Sequence, residues 1–251
     1  MKKILLVPVA GLLLFTLANC SNKKHNLSSK KETVTDTLPV TAIIDTGTIK
    51  IPVKDLASFL PRGYVMFDTI TGDLNKDGVE DCILMIKGTD KTKIIDHEYR
   101  GRLDRNRRGI IVLLNNNNGY EVAVKNYDCF SSENEEGGVY YAPELDLEVN
   151  KGNLLVNYRH GRYGYWFYTF RLKNNDMELI GYDASSSNGP VIDKETSINF
   201  LTGKKQVKKN TNDDAESGEE VFEESWHIIK NKTIILLSQI KDFDELNMYD
   251  L

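Results

Sequence analysis

The feature that most restricts the fold of this chain is a recurring alternation of apolar and polar residues, broken by short turns rich in asparagine, glycine and lysine. Alternation of period two is typical of half-buried β-strands, and a short turn between two such runs indicates a hairpin. Five pairs of segments have this form: Ile110–Leu114 with Tyr120–Val124, Leu145–Val149 with Leu154–Tyr158, Tyr165–Leu172 with Met177–Tyr182, Ser197–Leu201 with Lys204–Val207, and Ser225–Ile229 with Thr233–Leu237. The pattern predicts an all-β domain, mainly of antiparallel hairpins, arranged like a propeller blade or as a sandwich.

One short helix and two hydrophilic stretches interrupt this pattern. Val53–Leu60 has the spacing of one or two helical turns, and the Pro-Arg-Gly sequence after it predicts the end of this short N-terminal helix. Residues 88–108 are highly charged, and we expect a long, solvated loop there. Residues 208–220 are also hydrophilic and are expected to be mobile.

The N-terminus has the organisation of a cleavable export signal. Lys2 and Lys3 precede an apolar run from Ile4 to Leu17, which is shorter than the roughly 20 residues that a membrane-spanning helix needs. The run ends in Leu-Ala-Asn-Cys, which resembles the lipobox of bacterial lipoproteins. That resemblance implies cleavage before Cys20 and an acyl anchor, of the palmitate type, on this residue. The alternative is an ordinary secretory signal followed by an unrelated cysteine.

The lipobox-like sequence divides the chain into a signal peptide at 1–19, a lipidated flexible stalk at 20–40 and a single all-β domain at 41–251. The stalk is polar and almost without large apolar side chains, so it cannot bury enough surface to fold. We expect the protein in the bacterial cell envelope, attached to a lipid bilayer through the acylated Cys20. Surface-exported lipoproteins of gut anaerobes resemble one another in carrying acidic residues just after the lipidated cysteine, whereas the Ser-Asn-Lys-Lys sequence here is neutral to basic. This difference favours the periplasmic side, and we expect the protein on the outer membrane facing the periplasm.

Net charge and cysteine content restrict the partners and the redox chemistry. The formal net charge is −5 and becomes more negative when Lys2 and Lys3 are lost with the signal peptide, so we expect no nucleic-acid partner. Cys82 and Cys129 are the remaining thiols once Cys20 is lipidated. In an oxidising compartment they are candidates for a disulfide worth about 4 kcal/mol, and the alternative is two buried free thiols.

The clearest candidate for a metal site is the GDLNKDGVED sequence that ends at Asp81. Its oxygen-bearing side chains fall at positions 1, 3, 5 and 9 of a loop with glycine at position 6, the spacing by which a tightly curled loop directs carboxylates at one hard cation. The predicted Ca²⁺ ligands are the side chains of Asp73, Asn75, Asp77 and Asp81 and the carbonyl group of Val79. A metal-free turn is the alternative, because Asp, Asn and Gly favour turns without any ion.

The residues after this loop point to a family. Position 12 is Leu84 rather than the glutamate of an EF-hand, and Cys82–Ile86 has the composition of a buried strand. Loop and strand resemble the calcium-loop hairpins of FG-GAP/VCBS repeats, the blade units of integrin-α-type propellers, and the likeness continues through Ile111–Leu114 to Tyr120. The Pro-x-Gly-Tyr lead-in also resembles that of other bacterial lipoproteins. The resemblance implies one such unit at about 60–126 with a structural calcium ion, whereas a complete propeller needs four or more repeats.

An aromatic run is the second candidate for binding. Tyr163, Tyr165 and Trp166 lie beside arginine and histidine residues, a combination that can stack on sugar rings or pack against a partner's surface. On a strand, Trp166 lies on one face, and Tyr165 and Phe167 lie on the other. A strand that is apolar on both faces is more often the buried centre of a sandwich, and we expect burial here.

The sequence contains no evident catalytic motif. The four histidines are scattered, with no His-x-x-x-His pair, Gly-x-Ser-x-Gly elbow or phosphate-binding glycine loop. A membrane-anchored, non-enzymatic binding module with an unknown protein or glycan partner is therefore favoured. Two alternatives are an envelope hydrolase acting on glycan or peptide, which needs a deep pocket, and an inhibitor or immunity-type protein with a protruding loop at 88–108.

Overall fold

The first sheet is formed by strands that follow one another in the chain around a single insertion. The structure, a computed structural model, describes residues 56–116, 118–135, 142–230, 234–248 and 251. Four antiparallel strands pair in this order: β1 (Tyr64–Gly72), β2 (Asp81–Gly88), β5 (Arg108–Asn115) and β6 (Tyr120–Phe130). The insertion between β2 and β5 is a separate hairpin of β3 (Ile94–His97) and β4 (Gly101–Asp104).

The second sheet is a seven-stranded antiparallel meander in which neighbours in the chain are neighbours in the sheet. Its strands are β7 (Glu144–Asn150), β8 (Asn153–Arg159), β9 (Gly164–Lys173), β10 (Asp176–Asn188), β11 (Val191–Asn199), β12 (Lys204–Asn210) and β13 (Phe222–Ile228). Short 3₁₀ turns lie at Ala57–Phe59, Lys91–Lys93, Gly161–Tyr163, Leu237–Gln239 and Phe243–Glu245. The all-β class predicted from the sequence is confirmed.

The four-stranded sheet is buried on both faces because its central strands are apolar at successive positions. In β2, Ile83 and Met85 point into a main core, whereas Cys82, Leu84 and Ile86 point into a second apolar cluster on the opposite face. Strand β5 alternates in the same way, as the pleat of a strand requires. Each fully buried aliphatic side chain of this kind contributes roughly 1.5–3 kcal/mol.

The seven-stranded sheet contributes one face, the inner face, to the same main core. Tyr168 and Phe170 of β9 are at most 2% exposed and belong to this core. The C-terminal segment also enters it, because Phe243 stacks on Phe130 of β6 with ring centroids 4.9 Å apart. Two sheets around one shared core form a sandwich, one of the two arrangements expected from the sequence.

Four of the five predicted hairpins are confirmed, and the last one is wrong. The described residues after β13, from 234 onwards, do not pair with β13. Leu236 instead bridges to Glu178 of β10, and the amide of Leu179 donates to the carbonyl of Ile235 over 2.9 Å. Pairing of β10 with β11 begins only at Gly181, so the first residues of β10 have a free edge that this segment occupies.

The charged stretch 88–108 is not the long, solvated loop that was expected. It contains the β3–β4 hairpin, and Leu103 is buried. Asn106 is buried too, and its side-chain amide donates to the carbonyl of Asp90 (3.0 Å) and to the carboxylate of Asp104 (2.7 Å). These bonds hold the two ends of the insertion together, which is why a hydrophilic sequence adopts a defined structure here.

Several predictions concern residues outside the described part of the chain. The signal peptide, Cys20 and the stalk lie there, as do residues 53–55 of the expected helix, whose described part is one 3₁₀ turn. All the described residues belong to one compact unit, Gly47–Leu251. Within the described ranges, no helix is long and apolar enough to cross a membrane.

Candidate functional site

The predicted metal loop, Asp73–Asp81, connects β1 to β2 and is folded by its own side chains. The carboxylate of Asp73 accepts hydrogen bonds from the amides of Lys76 (2.6 Å), Asp77 (3.2 Å) and Gly78 (2.9 Å). Gly78 has a φ of +85°, a left-handed conformation that glycine adopts without steric cost. The loop therefore has a tight curl around the carboxylate of Asp73.

Asp81 is completely buried and ties this loop to the sheet. Its carboxylate accepts hydrogen bonds from the amides of Leu74 (2.8 Å), Asn75 (3.3 Å) and Asn115 of β5 (2.9 Å). Burial raises the pKa of the Asp81 carboxyl; the amide bonds oppose this shift, and the charge of Asp77 adds to it. Both oxygens of Asp81 thus have a structural role in the four-stranded sheet.

The donor atoms of the loop fit a hard cation in type but are only partly available. Carboxylate, amide and carbonyl oxygens are the ligands that Ca²⁺ prefers. The side chains of Asp73, Asn75 and Asp77 lie nearer the surface than that of Asp81, but their oxygens also accept hydrogen bonds from amides within the loop. No three His, Cys, Asp or Glu side chains of the described residues form a metal-binding group. A cation at this loop would therefore depend on Asn75 and the Val79 carbonyl beside Asp73 and Asp77.

The disulfide considered between Cys82 and Cys129 is not formed, and both thiols are free and buried. Cys82 belongs to the second cluster and Cys129 to the main core, so the two side chains lie on different sides of the sheet. Burial raises the pKa of both thiols, to about 11 for Cys82. A protonated, buried thiol is a weak nucleophile, so both cysteines act as packing residues.

Two continuous rows of side chains cross the outer face of the seven-stranded sheet, the face turned away from the main core. Directly opposed residues of neighbouring strands share a face, and the strand register gives each row. One row is Glu144, Arg159, Tyr165, Ser185, Glu195, Lys208 and Glu224. The other is Asp146, Asn157, Phe167, Asp183, Ser197, Gln206 and Trp226.

Tyr165 and Phe167 form an aromatic platform within these rows. Their rings stack with centroids 4.6 Å apart and an interplanar angle of 19°. The guanidinium of Arg159 lies 5.5 Å from the centroid of the Phe167 ring. Both aromatic side chains are only half-buried, so the expected burial of both faces of β9 is wrong for this face. Burial next to Asp183 and Glu195 raises the pKa of Tyr165.

A cavity of about 670 Å³ lies beside the platform, where β8 turns into β9. Tyr163 and Tyr165 line it together with basic residues that include Arg162. The turn depends on Gly164, which has a φ of +117° and whose Cβ, if present, would lie 1.9 Å from the carbonyl oxygen of Ser185. Because the two strands approach so closely here, only glycine fits at position 164. Gly164 and Ser185 form part of the cavity wall.

Strand β13 is an exposed edge of the sheet and carries a second aromatic group. Trp226 is 60% exposed, and its indole N–H donates to the carboxylate of Glu224. Hydrogen bonds from Gln206 and Trp226 lower the pKa of Glu224. Between Trp226 and the platform lies a depression of about 250 Å³, lined by Tyr165, Asp183, Ala184, Glu195, Thr196, Ser197, Gln206 and Lys208.

The structure brings together only two of the three aromatic residues singled out in the sequence. Tyr163 and Tyr165 line the cavity, but Trp166 lies on the inner face, where its ring stacks on Tyr158 at 5.4 Å and 12°. Sequence reasoning missed Trp226. Its strand also carries Phe222 and Ile228 on the same face, a pattern that sequence reasoning assigns to a buried face, so no local signal marked Trp226 as exposed.

Comparisons with known proteins return one structural similarity. No family model matches the chain, and no curated protein matches it. The chain is similar to a solved structure described as "Structure of a Xanthomonas Type IV Secretion System related protein", with a TM-score of 0.27 and 17% sequence identity. The alignment covers 62% of this chain and 57% of that one, so it spans less than two thirds of the other protein's length.

Proposed function

We propose that this protein is a lipid-anchored, non-enzymatic binding module of the bacterial cell envelope, whose ligand, a protein or a glycan, binds the outer face of the seven-stranded sheet. The observation that carries the proposal is the half-exposed platform of Tyr165 and Phe167, with the cavity on one side and Trp226 on the other. Flat amphipathic rings are common anchors of binding surfaces. These three side chains lie outside the main core, which supports a role in binding rather than in folding.

The anchor is supported by the N-terminal sequence alone. Cys20 would hold the lipid, and the polar residues up to 40 would separate the domain from the bilayer, on the periplasmic side of the outer membrane. Growth with radiolabelled palmitate should label the wild-type chain and leave a Cys20→Ala variant unlabelled. Equal labelling of the two chains would contradict an anchor at Cys20.

Site-specific photo-crosslinking in cells tests the binding surface. We expect a photoreactive benzoyl-phenylalanine in place of Phe167 or Trp226 to give covalent adducts, because both positions face the proposed ligand. The control is the same substitution at Tyr99, which is 84% exposed at the β3–β4 hairpin, away from the outer face. Adducts at Tyr99 alone, or at none of the three positions, would contradict the proposed function.

A calcium ion in the loop belongs to the same proposal. It would be held by Asp73, Asn75, Asp77 and the carbonyl of Val79, with Asp81 as the buried support behind them. Its contribution would be structural, since it would offset the repulsion between the carboxylates and fix the turn between β1 and β2. The ligand-binding surface lies on the other sheet, so binding of the ligand does not depend on the ion.

A further inference from the structure

The outer face has polar side chains between its two aromatic sites, which are the platform on β9 and Trp226 on the edge strand β13. In the row that joins Phe167 to Trp226, the residues between them are Asp183, Ser197 and Gln206. All three have hydrogen-bonding side chains, and none is apolar. Four strand spacings separate the two rings, which places them roughly 19 Å apart across the sheet.

The polar stretch between the two aromatic sites differs from the centre of a protein–protein interface. Such interfaces have an apolar, fully buried centre and a polar rim that remains accessible to water. Burying Asp183, Ser197 and Gln206 under an apolar protein surface would leave their polar groups without water and without partners, which costs free energy. A ligand for this face must therefore offer hydrogen-bonding groups along its whole length.

The two rows of the outer face carry five carboxylates and two cations. Lys208 pairs with Glu195 at 3.4 Å, and Arg159 lies 3.9 Å from the carboxylate of Asp146. Both cations lie in the row of Tyr165, whereas the charged residues in the row of Phe167 are the carboxylates Asp146 and Asp183, so the face is acidic. A polyanionic ligand would therefore be repelled, and the face is suited to a partner without acidic groups.

Given that the outer face is the binding surface of the proposed function, we propose that its ligand is a linear glycan without acidic groups that lies across the strands. Sugar rings have apolar C–H faces that stack on flat aromatic rings, here the Tyr165–Phe167 platform and Trp226. Their hydroxyl groups both donate and accept hydrogen bonds, which matches the carboxylates and the amide of Asp183, Glu195 and Gln206. The depression of about 250 Å³ between the two aromatic sites would receive the middle of the chain.

Calorimetric titration of the full chain with defined oligosaccharides tests this proposal. The protein is kept in a detergent without a sugar headgroup, and the probes are cellohexaose, xylohexaose, laminarihexaose, maltohexaose and chitohexaose, with polygalacturonate as the charged comparison. We expect at least one neutral hexasaccharide to bind. Phe167→Ala and Trp226→Ala should each weaken that binding by about tenfold or more, because each removes one stacking surface.

Two further variants separate stacking from a general loss of structure. Trp226→Phe retains an aromatic ring and should retain most of the affinity, and Tyr99→Ala, on the β3–β4 hairpin, should leave it unchanged. Stronger binding of polygalacturonate than of every neutral hexasaccharide would overturn the proposal, as would no binding of any of them at millimolar concentration. If cross-links at 167 and 226 still form in the latter case, the binding module stands with another ligand; if they do not, the proposed function fails as well.

Discussion

Each sheet of this sandwich contains a strongly apolar strand, β2 in one and β9 in the other, but the two strands differ in how many of their residues are buried. Seven of the eight residues of β2 are buried. One face of the four-stranded sheet packs against the seven-stranded sheet in the main core, and the apolar side chains of its other face pack in the second cluster. In β9, which is rich in aromatic residues, three of ten residues are buried. The comparison shows that folding needs the inner face of the seven-stranded sheet, whereas the aromatic residues of its outer face are available to a ligand.

Substitutions at two phenylalanines of β9 should give the largest contrast between the faces. Phe170→Ala should lower the free energy of unfolding by about 3–5 kcal/mol, since Phe170 is fully buried and leaves a cavity in the main core. Phe167→Ala, on the same strand, should cost about 1 kcal/mol or less because the side chain is half-exposed. Urea titration of the full chain measures both. Equal losses would mean that the outer face is part of the folding core.

A second contrast lies between two aspartates of the first half of the chain. Asp81→Ala should lower the free energy of unfolding by about 2–3 kcal/mol, because three amides lose a buried, charged acceptor. Asp96→Ala, at an exposed position of β3, is the matched control and should change stability by less than about 0.5 kcal/mol. If Asp81→Ala left the free energy of unfolding unchanged, that result would contradict the role of Asp81 as the anchor of the loop.

Calcium should have a smaller effect on stability. Excess Ca²⁺ should raise the melting temperature of the full chain by about 2–4 °C relative to a chelator, the shift that about 1 kcal/mol produces in a domain of this size. Asp77→Ala should abolish this difference, and Asp96→Ala should retain it. Identical melts of the wild-type chain in both conditions would establish the loop as a metal-free turn.

The smallest expected effect is that of a reducing agent. Because Cys82 and Cys129 are free in different apolar clusters, dithiothreitol should leave the melting temperature unchanged. A thiol reagent should label neither residue in the native protein and both after denaturation without a reductant. An unlabelled denatured chain would indicate a disulfide and would contradict the separation of the two clusters.

The turns explain why most of the fold could be predicted from the sequence. The hairpin between β9 and β10 turns at Asn174 and Asn175, which have φ values of +51° and +59°, and asparagine tolerates this region better than most residues. Such preferences are local, so a short stretch of sequence contains them. The same holds for the curl at Asp73, whose partners lie within five residues of it.

The errors have the opposite origin, because each depends on residues that are distant in the chain. Leu236 pairs with Glu178 at the start of β10, where the strand edge is free because pairing of β10 with β11 begins only at Gly181. The exposure of Phe167 depends on which face the second sheet covers, and alternation alone cannot tell the two faces of an aromatic strand apart. The proposed binding surface, which joins Phe167 to Trp226 across four strand pairs, could not be assembled without the register of the whole sheet.

Hydroxyl-radical footprinting of Trp226 and Tyr99 tests most directly whether the outer face is the binding surface. Both side chains are exposed in the structure, at 60% and 84%, so both should be oxidised readily in the purified protein. On intact cells, where the ligand is present, we predict that oxidation of Trp226 falls severalfold while oxidation of Tyr99 is unchanged. Equal oxidation of Trp226 in the two preparations would contradict a ligand-binding role for the outer face.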